Sequence, residues 1–123
     1  MSEHIPENVR PWGRYDILDA SDTHQVKRII VNPGERLSYQ RHQQRSEYWV
    51  IISGQARFTL DDVDSDHGCG EVLLIPVCAK HRVENTGTEP LLFIEVQRGN
   101  YFGEDDIERF EDDYGRMGST RPR

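Results

Sequence analysis

The chain has 123 residues, 35% hydrophobic and 30% charged, with a formal net charge of −7. That is enough for one domain with its own core, and its dense apolar runs exclude a disordered segment. The acidic balance argues against nucleic acid and anionic membranes as partners, and no apolar run nears the roughly 20 residues of a membrane span.

Residues 1–9 read as a flexible lead, 10–116 as one domain and 117–123 as a flexible tail. The N-terminus, Met1 to Asn8, lacks the basic and apolar pattern of a signal peptide. Cys69 and Cys78 form no close pair, so a reducing compartment and a cytoplasmic location are expected. Arg10 to Gly13 reads as a turn with Trp12 as an aromatic anchor. Val26 to Val31 is strand-like and stops at Asn32-Pro33-Gly34. Tyr48 to Ile52 is rich in branched and aromatic residues, and Ser53-Gly54 ends it. In Gln55 to Leu60 the residues Ala56, Phe58 and Leu60 share one face.

Asp61 to Gly70 reads as an acidic loop. Its Asp62, Asp64 and Asp66 do not make a calcium helix–loop–helix, because His67 stands where glycine is needed and Leu73 where the distal acid belongs. Val72 to Ile75, His81 to Asn85 and Leu91 to Gln97 complete the series of strands. Short strands at close intervals argue for an all-β barrel or sandwich. One helix is expected, over Glu104 to Phe110, whose acidic start suits a helix N-terminus.

Four side chains stand out as candidate ligands of a divalent metal: Gln40, His42, Glu47 and His81. Residues two apart on a strand face the same way, so Gln40 and His42 point together. Glu47 joins them if the chain bends over Gln43 to Ser46, and His81 arrives from a distant segment. This mixed nitrogen and oxygen set suits zinc, and also Mn, Fe, Co or Ni. His4, His24 and His67 are assigned no role.

Around this set lie candidates for chemistry. Arg45 is two residues before Glu47 and could stabilise negative charge or bind phosphate, or merely pair with a local acid. Lys27 and Arg28 are candidates for an anionic substrate, and strand parity alone does not decide which points inward. Glu95 and Gln97 share a face with Leu91 and Phe93. A glutamate on an apolar face is a candidate for a raised pKa and proton transfer.

Two segments resemble the paired motifs of cupins. Gly34, Gln40, His42, Glu47 and Gly54 fit the first, with Gln40 at the place of its first histidine. Gly70, Pro76, His81 and Asn85 fit the second, with Cys78 in place of a glycine. More narrowly, Arg10 to Tyr15, Val26 to Ile29, Leu37 to His42, Arg45 to Trp49, Glu95 to Gln97 and Tyr101 to Ile107 resemble the isomerase domain of type II phosphomannose isomerases, over about residues 10–116. Glutamine at the first histidine is a feature of that family.

The resemblance implies an all-β cupin-type double-stranded β-helix, a jelly-roll barrel, with a short C-terminal helix. It implies a metal-dependent isomerase acting on a phosphorylated hexose, mannose 6-phosphate to fructose 6-phosphate, through an enediol. With no glycine-rich nucleotidyltransferase segment in the chain, a free-standing isomerase domain is expected, and fold analogy suggests a homodimer. Two alternatives stand beside this: a non-catalytic phosphosugar- or sugar-nucleotide-binding module, and an iron-dependent oxygenase using His42, Glu47 and His81.

Overall fold

The computed structural model of the chain describes residues 8–115. Among these are eleven strands: β1 (Val9–Arg10), β2 (Gly13–Ala20), β3 (His24–Val31), β4 (Tyr39–Arg41), β5 (Arg45–Ser53), β6 (Ala56–Leu60), β7 (Val63–His67), β8 (Val72–Ile75), β9 (His81–Asn85), β10 (Leu91–Gly99) and β11 (Glu108–Glu111). They form a six-stranded sheet ordered β1-β2-β3-β10-β5-β8 and a five-stranded sheet ordered β11-β4-β9-β6-β7, with every pairing antiparallel. The all-β architecture expected from the sequence is therefore present. No helix of the described residues is long and apolar enough to cross a membrane.

Alternation of burial builds the interior. In β5 and β10 the buried and half-buried positions alternate almost throughout, as a strand with one face on a core requires. Trp49 sits at the centre, stacked on Phe93 at 4.5 Å between ring centroids and meeting Phe58 of the other sheet edge-on at 5.5 Å. Val31, Ile51, Val83 and Leu91 are buried around them.

Two turns carry the backbone constraints of the fold. Gly54 closes the β5–β6 connection at a φ of 98°, and a Cβ there would lie 2.8 Å from the Leu91 Cα, so only glycine fits. Cys78 adopts a φ of 69° at the position where the second motif has glycine. The turn after Pro76 thus forms despite the substitution, its N–H donating to the His42 carbonyl at 2.8 Å.

Two expectations are corrected. Glu104 to Phe110 is not a helix: Glu108–Glu111 is β11, added to the edge of β4, and residues 101–107 form an irregular strap. The unpaired edge of β4 offers backbone partners that outweigh the local helix signal. The acidic segment after Leu60 is not all loop. Asp61 and Asp62 both take positive φ, the geometry of a tight hairpin turn, and Val63–His67 pairs along the whole of β6. Its acids face outward, where Asp66 pairs with Arg57 and Asp64 accepts from Thr59. Of the expected lead, Val9 is paired with Arg14; the expected tail, 117–123, lies outside the described residues.

Candidate metal centre

Three neighbouring strands of the large sheet switch character at the same level. Along the inward face, β3 runs Val31, Ile29, Lys27; β10 runs Leu91, Phe93, Glu95, Gln97; β5 runs Ile51, Trp49, Glu47, Arg45. Pairing fixes the switch, because Glu95 lies opposite both Lys27 and Trp49, and Gln97 opposite Glu47. The other sheet supplies Gln40 and His81, directly opposite each other on β4 and β9. A bend over residues 43–44 then returns the chain so that Glu47 faces His42.

His42, Glu47 and His81 come together, each offering a ligand atom within 4.8 Å of the others. All three are buried. The protonation pattern of the rings follows from their partners. The Nδ1–H of His42 donates to the Asp106 carbonyl at 2.7 Å, and that of His81 to the Ala79 carbonyl at 3.0 Å. Each ring therefore turns an Nε2 lone pair toward the carboxylate, at 3.4 Å for His42 and 3.9 Å for His81. The amide nitrogen of Gln40 is committed to Ser38, which leaves its oxygen as the end available to a cation.

These residues fit a divalent metal in donor chemistry, since aligned imidazole nitrogens, a carboxylate and an amide oxygen are what such ions take. Arg45 already donates to two of these atoms, from Nε to Glu47 at 2.9 Å and from Nη2 to His42 Nε2 at 3.2 Å. The cluster thus draws positive charge. Burial alone would raise Glu47, but His81, His42 and Arg45 overcome it and hold the carboxyl down at about 2, aided by a 2.9 Å hydrogen bond from Trp49 Nε1. His42 is lowered to about 4, chiefly by burial, so its ring is neutral at physiological pH.

Glu95 behaves in the opposite way. Burial and the nearby charge of Glu47 push it up to about 8, against the pull of Lys27 and Arg45. Both carboxylates line one cavity of about 70 Å³, together with Lys27, Gln40, His42, Arg45 and His81. Two carboxyl groups held so far apart in acidity are the arrangement expected where one binds a cation and the other moves a proton.

Of the sequence candidates, Lys27 points inward and is buried beneath the Tyr15 ring, 4.3 Å from its centroid. Arg28 is not at the site: it lies on the outer face, paired with Asp16 at 2.9 Å. Gln97 is fully buried but off the cavity wall, and donates to Glu95 at 2.5 Å. Arg10, Glu104 and Arg109 line the cavity without having been singled out as site residues. Arg10 and Glu104 fall within the segments that carried the narrower resemblance, which was the available signal.

Comparisons with known proteins agree with this picture. The chain is 50% identical over 111 residues to mannose-1-phosphate guanylyltransferase ManC of Salmonella typhimurium, covering 90% of the chain and 23% of that protein. It is 50% identical over 110 residues to the alginate biosynthesis protein AlgA of Pseudomonas aeruginosa, covering 89% and 23%. The chain thus spans about a quarter of the length of these curated relatives. Among solved structures, a double-stranded β-helix protein from Klebsiella pneumoniae superposes with a TM-score of 0.73 at 20% identity, over 91% of the chain and all of that one. The cupin domain of Schizosaccharomyces pombe Cnp3 gives 0.68 at 11% identity, over 70% and 64%. A structure of Bacillus subtilis oxalate decarboxylase concerned with its Mn(II) centres gives 0.70 at 27% identity, over 82% and 29%. The structural likeness shows a cupin-type fold; the family described as mannose-6-phosphate isomerase C-terminal matches residues 2–112, and the chain belongs to that family.

Proposed function

We propose that this domain interconverts mannose 6-phosphate and fructose 6-phosphate by moving a proton between C2 and C1 of the sugar. The observation that carries the reading is Glu95, a buried carboxyl with its pKa raised to about 8, on the wall of the cavity that holds the metal-binding triad. A base poised near neutrality is what abstraction of a carbon-bound proton beside a carbonyl asks for. In this reading Glu95 takes the proton from C2 and returns it to C1, held in orientation by Gln97. Arg45 has its Nη1 buried and without a partner among the described residues, a donor left for an anionic oxygen of the substrate. A divalent ion on Gln40, His42, Glu47 and His81, zinc in this proposal, would polarise the sugar's oxygens.

Solvent-proton exchange at C2 of mannose 6-phosphate, followed on metal-loaded protein, tests the proposal. Exchange is expected with the wild type and is expected to fall by about 10²–10⁴ in Glu95→Gln, the range of general acid–base catalysis. It should be lost in His42→Ala and Glu47→Ala. Binding of the sugar without exchange of any phosphorylated hexose would instead identify a non-catalytic phosphosugar module.

A further inference from the structure

The strap of residues 101–107 brings a third carboxylate to the cavity. Glu104 Oε2 lies 3.2 Å from Lys27 Nζ. The two partners differ in character: the lysine side chain is 7% exposed and fixed on β3, whereas that of Glu104 is 53% exposed on an irregular segment. Arg45 and Arg10 line the same cavity. Burial would raise the Glu104 pKa, but Lys27, Arg45 and Arg10 outweigh it and keep it below the usual range. Glu104 thus pairs with one of three cations that line the same cavity, and another, Arg45, keeps a buried Nη1 unpartnered among the described residues.

Size points the same way. A cavity of about 70 Å³ is far below the ~300 Å³ from which small-molecule sites begin. The other walls come from strands of both sheets and the loops beside them, while the strap is irregular and is joined to the barrel through Asp106 as well as Glu104. Asp106 accepts from the backbone N–H groups of Gln43 and Gln44, both at 3.0 Å, and its carbonyl takes the His42 ring. Glu104 lies two residues before that anchor, on the irregular part of the strap.

We propose that Lys27, Arg45 and Arg10 form the seat of the substrate's phosphoryl group, and that the Glu104 carboxylate occupies this seat as an internal competitor that withdraws when the phosphoryl group arrives. This rests on the phosphosugar reading above and adds to it the location of the anion and the group that must leave. A dianion gains more than a carboxylate from three cations lining one cavity, and withdrawal of the strap opens the space that the sugar needs.

The test is calorimetric titration of the metal-loaded protein with inorganic phosphate, mannose 6-phosphate and unphosphorylated mannose. Glu104→Gln is expected to bind the two phosphorylated probes about two- to fivefold more tightly, the scale of one partly exposed ion pair, with mannose unchanged. Unchanged or weaker phosphate binding in the folded variant overturns the seat. Hydrogen exchange on the wild type is a second measurement: residues 101–107 should exchange faster when phosphate is added, and unaltered exchange also overturns the proposal. The two readings fail separately. Tighter phosphate binding without exchange at C2 supports the seat and removes the isomerase; exchange at C2 with phosphate affinity indifferent to Glu104 does the reverse.

Discussion

The two ends of the barrel interior are made from the same strands and obey opposite rules. At one end Val31, Ile51, Val83, Leu91 and Phe93 meet in an apolar contact set that any similar hydrophobic residues could fill. At the other, Lys27, Arg45, Glu47, Glu95 and His81 are buried to about the same degree yet are charged or polar. Buried charges seldom add net stability compared with packed hydrophobic residues. The polar end is thus a place where the fold is held despite its contents, and the apolar end supplies the stability that allows it. Trp49 joins the two, with one face on Phe93 and its Nε1 donating to Glu47.

Substitutions at each end should therefore separate stability from activity. The largest stability loss is expected at the apolar end: Phe93→Ala should cost about 3–5 kcal/mol in chemical denaturation. Sugar binding by whatever fraction remains folded should persist, because Phe93 does not line the cavity. At the polar end Glu95→Gln should keep the fold and cut proton exchange by about 10²–10⁴. A comparable loss of stability there would break the contrast.

A pH series sharpens it further. An unfolded glutamate ionises near 4.5, whereas folded Glu95 keeps its proton up to about 8. Between those values the native state binds more protons than the unfolded chain, so stability of the metal-free protein should fall as pH rises through this window. In Glu95→Gln this decline should be reduced, as denaturation midpoints across the window would show. The smallest effect is expected in the turn after Pro76, where Cys78 holds a left-handed conformation. Cys78→Gly should raise stability by up to about 1 kcal/mol, relief of backbone strain being partly offset by glycine's greater freedom when unfolded.

The clustering of His42, Glu47 and His81, with Gln40 on the same cavity wall, was legible because motif spacing singles out these residues and makes room for a bend before Glu47. Arg28 was not resolved from Lys27 because alternation says that neighbours point apart, and only the pairing of β3 with β10 says which of them shares a face with Glu95. The hairpin strand β7 was hidden by its acids, which are compatible with a strand only because this edge faces outward. The acids before Phe110 carried a true signal for capping backbone donors, but the donors that Asp106 satisfies belong to Gln43 and Gln44, more than sixty residues earlier. A contact between such distant segments leaves no trace in local propensity.

The bond from the His42 ring to the Asp106 carbonyl has one more consequence. It joins the nitrogen opposite the one facing Glu47 to the segment that bears Glu104, so the affinity for a cation held at the proposed site and the order of the strap would share a thermodynamic cycle. By reciprocity, whatever the cation contributes to ordering that segment, the ordered segment returns to cation affinity. Loosening the anchor with Asp106→Ala should therefore weaken cation binding, measurable by competition with a chelator, although the Asp106 side chain contacts none of the ligands.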